Sequence, residues 1–288
     1  MIRIQGLAKT FRRARVLDGI DVEIDSGERV ALIGSNGAGK TTLIRCLLGE
    51  YTHDGTVTIG GLDPHRQRTQ VLGRVGFVPQ LPPPLKMPVG TLIDFAAALC
   101  GTPRERVHEL ADRLGLDVKP ILSRPFVKLS GGMKQKLLIA IALGRDADVL
   151  VMDEPAANLD PAARKIFFEL LAERADATRG TTMLISSHRI NEVSALVNRV
   201  IELDLGKVVL DDRIAEQADL GSACAGRIVC RYPEPALAKA LAQWNFRPVN
   251  GSEIEWEGEV AAPDRLRFLG TVSRYVSAVK HVSLEEAP

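Results

Sequence analysis

No run of apolar residues in the 288-residue sequence approaches the ~18 needed to cross a bilayer; the longest obvious one is LLIAIALG at 137–144. The chain is therefore not expected to span a membrane itself. Cysteine is sparse. Cys46, Cys100, Cys224 and Cys230 are too few and too scattered for a disulfide framework in a chain of this length, so a reducing cytoplasm is expected. The start, MIRIQGLAKTF, carries charge from residue 3 onward and lacks the apolar core and cleavage site of a secretory signal. An excess of either charge is missing as well: 37 basic and 36 acidic side chains leave a formal +1. That balance argues against bulk attraction to nucleic acid or anionic lipid, and no nucleic-acid partner is expected. Internal repeats and low-complexity tracts are absent.

Aromatic residues are only 5% of the chain, and they are unevenly placed. Both tryptophans (Trp244, Trp256), two of the three tyrosines (Tyr232, Tyr275) and two of the eight phenylalanines (Phe246, Phe268) follow residue 219. This shift marks a candidate boundary near residue 220. At ~150 residues per domain the length suggests two domains, and 45% hydrophobic with 25% charged residues match a globular chain.

The N-terminal part reads as strands: IRI at 2–4, the alternation Ile20, Val22, Ile24, and the apolar run VALI at 30–33. Glycines follow at once, and then TTLIRCLLG, whose Leu43, Ile44, Leu47 and Leu48 recur at helical spacing. Within 82–145 lie PPP at 82–84, an apolar FAAAL, and a helix expected to start at Thr102-Pro103 with a capping box to Glu105. This region reads as a helical insertion. Further on, VLVM at 149–152 and TMLIS at 182–186 are short β-rich runs, and Asp160-Pro161 is a cap and N1 pair for the helical pattern behind it. Strands alternating with helices predict an α/β domain with a largely parallel sheet and an antiparallel part from the N-terminal strands. The tail, 220–288, reads strand, helix, strand, helix, strand, a small α+β domain. Cys224 and Cys230 within it are read as small hydrophobes beside or within a strand in preference to a metal or redox pair.

GSNGAGKT at 34–41 fits G-x-x-x-x-G-K-[ST] in full, between a strand and an amphipathic helix. Glycines at 34, 37 and 39 let successive amides point at phosphate oxygens, and the helix N-terminus adds its own N–H groups and positive dipole end. The nucleotide-binding set is thus Gly34, Ser35, Asn36, Gly37, Ala38, Gly39, Lys40, Thr41 and Thr42. Lys40 is the mobile cation at the β- and γ-phosphates, and the Thr41 hydroxyl is a Mg²⁺ ligand. A carboxylate for the metal is expected at the end of another strand. VLVMDE at 149–154 offers Asp153 for that role and Glu154 as a base that orients the attacking water.

LSGGM at 129–133 begins twenty residues before VLVM and resembles the signature motif of ATP-binding cassette proteins. The other family motifs follow in order and spacing. Phe11 stands 29 residues before Lys40, where the family has the aromatic that stacks on adenine; Gln80 in GFVPQ stands 40 after it, resembling the Q-loop glutamine. MDEP, NLD at 158–160 and His188 in ISSH complete the set. The resemblance covers about residues 1–219 and implies an ATPase domain, with a phosphate-loop ATPase cassette of mixed sheet and helical subdomain (about 82–145), followed by the α+β accessory domain at 220–288. It further implies Gln80 as a metal ligand beside Thr41 and Asp153, Glu154, His188 and Gln80 as catalytic groups, and ATP with Mg²⁺ as cofactors. Two cassettes would pack head to tail, each presenting Ser130, Gly131 and Gly132 at a helix start to the nucleotide of the other.

Two residues depart from the family pattern. Met133 ends the signature where glutamine is commoner, and Arg12 and Arg13 follow Phe11 where glycine is frequent, so the base-stacking loop is expected to be shaped differently. The cassette resembles those that work beneath a separate multi-span permease on the inner face of the cell membrane, with residues 81–128 as docking surface. Its tail, closing in SLEE, is similar to that of cassettes paired with ABC-2-type exporters, among them the one for copper-site assembly in nitrous oxide reductase. The competing class is a cassette ATPase acting on DNA, ribosomes or a regulator. Against it, Leu129 lies only 89 positions after Lys40, with no sustained heptads.

Overall fold

The computed structural model describes residues 1–176, 180–188, 193–194, 196–213, 223–261 and 265–286. Strand β1 (Ile2–Phe11) pairs antiparallel with β2 (Ala14–Ile24). Strand β3 (Arg29–Ile33) runs into the glycine loop, and helix α1 (Lys40–Leu47) follows it. β4 (Asp54–Ile59) returns to the free edge of β1, giving an antiparallel sheet of order β2-β1-β4. After α2 (Arg68–Arg74) comes β5 (Val75–Val78), then α3 (Val89–Cys100), α4 (Arg104–Arg113) and α5 (Gly131–Gly144), the helical insertion. β6 (Val149–Asp153), α6 (Pro161–Ala175), β7 (Thr182–Ser186), β8 (Arg199–Asp204) and β9 (Lys207–Arg213) complete a six-stranded sheet of order β5-β6-β7-β3-β8-β9. All its neighbours are parallel except the edge pair β8 and β9.

Successive side chains of a strand point to opposite faces, and the buried strands of this sheet are apolar on both. Val30, Leu32, Val149, Val151, Leu184, Ile201 and Leu203 face one core with α1 and the antiparallel sheet. Ala31, Ile33, Leu150, Met152, Met183, Ile185 and Val200 face the other, with α5, α6 and the helical insertion. The continuous apolar runs of the sequence are therefore strands covered on both sides.

One helix start differs from expectation. Gly101 closes α3 in a left-handed conformation (φ 62°), and the Thr102 N–H donates to the Ala97 carbonyl at 3.0 Å. Thr102 is thus used to end α3, its side chain is buried, and α4 begins at Arg104 with Pro103 as N-cap and no side-chain cap. The Thr102–Glu105 capping box does not form. The Asp160-Pro161 start does: Asp160 accepts from the Ala163 N–H at 2.9 Å.

The boundary expected at 219/220 lies outside the described residues. From residue 223 onward, β10 (Ala223–Cys230), α7 (Pro235–Gln243), β11 (Arg247–Pro248), β12 (Glu255–Ala261), α8 (Arg265–Val272) and β13 (Val279–Glu286) form a second antiparallel sheet of order β11-β12-β10-β13. It has its own core of Ile228, Cys230, Leu237, Leu241, Phe246, Val260, Phe268, Val272 and Val279, with both tryptophans packed against it. Cys224 and Cys230 are buried free thiols on one strand. Gly226 and Gly258 are directly opposed across β10 and β12, and the Phe246 ring lies on the pair, stacked on Phe268 at 4.7 Å. A Cβ at either glycine would come within 2.6 Å of that ring. Replacing Gly258 with Ala should therefore destabilise this sheet by about 1–3 kcal/mol through overpacking. The measurement is the urea midpoint followed by tryptophan fluorescence, since Trp244 and Trp256 both report on this unit.

Candidate functional site

Each polar group predicted for phosphate chemistry, apart from Phe11 and the signature segment, lies at or just beyond a carboxyl end of the parallel sheet, where ligands of open α/β sheets bind. The glycine loop leaves β3 at Gly34, whose φ of 145° and contact with the Leu203 carbonyl leave no room for a Cβ. Ser35, Asn36 and Gly37 are exposed at the loop crest, while Ala38, Gly39 and Lys40 are buried under it. Lys40 Nζ donates to the carbonyls of Gly34 at 2.6 Å and Ser35 at 3.2 Å. Burial pulls its ammonium below the usual lysine value, and the charges of Glu154 and Asp153 oppose that shift. Thr41 and Thr42, in the first turn of α1, are half-buried.

β6 and β7 are in register with Asp153 opposite Ser186. The Ser186 hydroxyl donates to Asp153 Oδ1 at 2.6 Å and accepts from the Glu154 N–H at 2.9 Å. Glu154 takes a left-handed φ of 46°, an uncommon conformation for a residue with a side chain. It turns the carboxylate off the strand line toward β7, where Oε2 lies 3.4 Å from His188 Nδ1. A cavity of about 890 Å³ opens in front of these groups, lined by Gly34, Ser35, Asn36, Gln80, Glu154 and His188.

Residues 37–42 and Asp153 are not among the residues that line this cavity, and two further predicted elements lie outside its lining as well. Phe11 stands at the β1–β2 turn, partly exposed, with its ring edge-on to Tyr51 at 5.1 Å and Lys9 Nζ 4.9 Å from its centroid. Arg12 after it adopts φ 54°, a left-handed turn without glycine. Ser130 caps α5, its Oγ accepting from the Met133 N–H at 3.3 Å, and Gly132 packs against the Asn158 carbonyl. The helix start Ser130–Gly132 therefore sits beside NLD and is not among the residues that line the cavity.

These positions can be set against known proteins. The ABC transporter family model matches residues 17–157, which hold the phosphate loop, Gln80, the signature segment, Asp153 and Glu154. A Nod factor export ATP-binding protein I from Ralstonia nicotianae is 35% identical over 250 residues, covering 84% of this chain and 76% of its own. The chain belongs to the ABC transporter family as an ATP-binding subunit. The methionine import ATP-binding protein MetN of the same organism is 32% identical over 263 residues, covering 82% of this chain and 73% of its own. Among solved structures, the ATP binding subunit of an ABC transporter superposes with a TM-score of 0.68 at 25% identity, covering 74% of this chain and 90% of that one. A dimeric cassette in a post-hydrolysis state, bound to ADP and Pi, has a TM-score of 0.66 at 22% identity, a likeness of fold. The chain is thus an ABC ATPase with the cassette fold expected from its motifs.

Four residues of the cassette site were not singled out by sequence reasoning. Ser186, the first serine of ISSH, ties the Asp153 carboxylate to the Glu154 amide. Gln135, fully buried in α5, donates to the Pro155 carbonyl at 2.9 Å and so links the signature helix to MDEP. Glu202 and Asp204, near the end of β8, line the cavity. They read in sequence only as polar alternates of a strand.

Glu202 is buried, its Oε1 has no hydrogen-bond partner among the described residues, and burial, with the charge of Asp204, pushes its carboxyl up to about 7. An acid whose folded value lies above its unfolded one holds an extra proton in the native state, so stability falls as pH rises from about 4.5 to 7. Above that window the ionised carboxylate costs up to roughly 3 kcal/mol. Glu202→Gln should melt higher than the parent at pH 8, with most of the gain gone at pH 5. Thermal scans at the two pH values check it, and an equal gain at both would remove the buried charge as its cause.

Proposed function

We propose that this chain is the ATP-hydrolysing subunit of an exporter, working as an ATP-dependent dimer beneath a separate multi-span permease on the inner face of the cell membrane. Residues 1–219 would be the ATPase domain and 220–288 an accessory domain. The observation that carries the reading is the division of the site. Phosphate loop, Gln80, Glu154 and His188 share one cavity, while Ser130, Gly131 and Gly132 present a helix start elsewhere on the surface. A second copy brings that helix start to the nucleotide held by the first.

In this reading the amides of residues 34–42 and Lys40 hold the polyphosphate, and Phe11 stacks on adenine. Glu154, turned out of its strand, accepts a hydrogen bond from the attacking water, and His188 beside it aligns the γ-phosphate. The donor set fits a hard cation: a buried carboxylate at Asp153 with one oxygen committed to Ser186, the Thr41 hydroxyl and the Gln80 amide. Mg²⁺ held there would neutralise charge across the β- and γ-phosphates. Among the described residues no three His, Cys, Asp or Glu could hold a metal by themselves, which suits an ion that takes most of its ligands from phosphate and water.

Export is favoured by the relatives named for Nod factor export, at 33–35% identity. No described helix is long and apolar enough to cross a membrane. A permease contact is supported by the segment 81–128, where Leu81, Phe95 and Leu99 are 77%, 58% and 71% exposed. Phe95 and Leu99 are one turn apart on α3 and share a face. Within this reading the tail and the LSGGM and DEPAANLDP segments favour an ABC-2-type permease. The resemblance to the copper-site assembly cassette of nitrous oxide reductase names a sulfur or metal species as one cargo class beside lipid, drug and polysaccharide.

Glu154→Gln should retain ATP binding, lose turnover by about 10²-fold or more, and elute as a dimer with ATP in size exclusion. Normal turnover would remove Glu154 from its role. Replacing both Phe95 and Leu99 with Glu should abolish co-purification with a multi-span membrane protein while leaving ATP affinity unchanged. Retained co-purification would place the contact elsewhere.

A further inference from the structure

The helix that opens with the signature segment also holds the loop that follows Glu154. Three residues in the first turns of α5 meet positions 155–160. Gly132 approaches the Asn158 carbonyl so closely that a Cβ would lie 3.2 Å from it, Gln135 Nε2 donates to the Pro155 carbonyl at 2.9 Å, and Lys136 Nζ lies 2.7 Å from the Asp160 carboxylate. Of these three, only Gln135 reaches the residue next to Glu154.

Stability alone does not account for an amide at this place. The Gln135 side chain is fully buried, and its Oε1 has no hydrogen-bond partner among the described residues. Buried polar atoms are normally paired, and a folded chain breaks that rule chiefly where function constrains it. A methionine of similar length would fill the same space without the orphaned oxygen. What methionine cannot do is donate to Pro155.

The Pro155 carbonyl matters because of the residue before it. Proline pushes its predecessor toward extended backbone, whereas Glu154 sits at φ 46°. The Glu154 N–H is held by the Ser186 hydroxyl at 2.9 Å and the Ser186 carbonyl at 3.2 Å. Its own carbonyl accepts from the Ala157 N–H at 3.2 Å, which closes a turn over Pro155 and Ala156, and Gln135 pins the Pro155 carbonyl inside that turn. The carboxylate beside His188 thus hangs from a backbone tied on one side to β7 and on the other to α5. Without the second tie, the Pro155 peptide is free to turn and Glu154 to relax toward the extended region.

We propose that Gln135 is a positioning residue for ATP hydrolysis: through the Pro155 carbonyl it keeps Glu154 in the left-handed conformation that aims its carboxylate at the attacking water. It acts on the reaction only through that backbone. The inference rests on the reading of Glu154 as the group that orients the water, and the failure of one can be told from the failure of the other.

The test is steady-state ATP hydrolysis by the full-length chain, with ATP-dependent dimer formation followed by size exclusion. Gln135→Met should lower kcat roughly tenfold to a hundredfold, the effect of a catalytic group displaced by about an ångström, with KM for MgATP within about twofold of the parent. Because hydrolysis slows while the nucleotide contacts are kept, the variant should elute as a dimer with ATP. Gln135→Asn keeps the amide but is too short to reach Pro155, and it should show the same split; it decides the matter where the methionine variant does not fold. A kcat within about twofold of the parent in a folded variant overturns the proposal. So does a raised KM with loss of the dimer at unchanged kcat, which places the role of Gln135 at the helix start. In a Glu154→Gln background, adding Gln135→Met should reduce the residual turnover by less than about twofold, since the group it positions is gone. An equal further loss there overturns the proposal and leaves the reading of Glu154 intact. Normal turnover of Glu154→Gln itself removes both.

Discussion

The in-register pairing of β6 and β7 is the constraint from which the site follows. Two parallel strands set Asp153 opposite Ser186, and one hydroxyl then bridges a carboxylate and the next backbone amide. That bridge leaves the Asp153 carboxylate hydrogen-bonded in a buried position, where an unpaired one would be costly. It also satisfies the N–H of Glu154 while that residue occupies a left-handed conformation, so the conformational cost of φ 46° is offset by a hydrogen bond. The Glu154 carboxylate is consequently aimed across the strand ends toward His188. β3 on the other side of β7 brings Gly34 to the same level, and β5 beyond β6 brings Gln80.

Much of this was legible because each motif is local in the chain. Gly34 to Thr41 needs only eight consecutive residues and a strand before them, and Asp153-Glu154 needs only to end VLVM. Cores on both faces of the sheet were readable too, since runs such as VALI and VLVM do not alternate. The misread helix start at Thr102 shows where local reading stops. Thr102, Pro103 and Glu105 fit a cap, but Gly101 has already taken the turn that ends α3, and the backbone of Thr102 belongs to that closure. Two adjacent helices compete for one residue, and the spacing of a motif does not register the competition.

Ser186, Gln135 and Glu202 were illegible for a different reason. Their roles depend on register and packing between segments distant in sequence. Gln135 acts on Pro155 twenty positions away, Ser186 on Asp153 from the neighbouring strand, and Glu202 owes its raised affinity for a proton to burial beside Asp204. A strand such as RVIELD gives no sign of which polar side chain will end under a loop. Phe11 is the reverse case: its spacing from Lys40 is informative, and its observed neighbours are Tyr51 and Lys9.

The open side of the sheet explains why a second element is needed at all. The carboxyl ends of β3, β6, β7 and β8 cluster amides, hydroxyls and carboxyl groups, and the start of the chain's own signature helix lies outside the cavity they line, beside Asn158. In the proposed dimer each chain meets the phosphates from below and leaves their outer face to the helix start of the other. The acidic residues that make the cavity suited to a metal and a water also make it poor at holding a polyanion unaided. Lys40 under the loop and the amides and dipole of the partner's helix start would correct that imbalance without a further charged side chain among the groups that handle the attacking water.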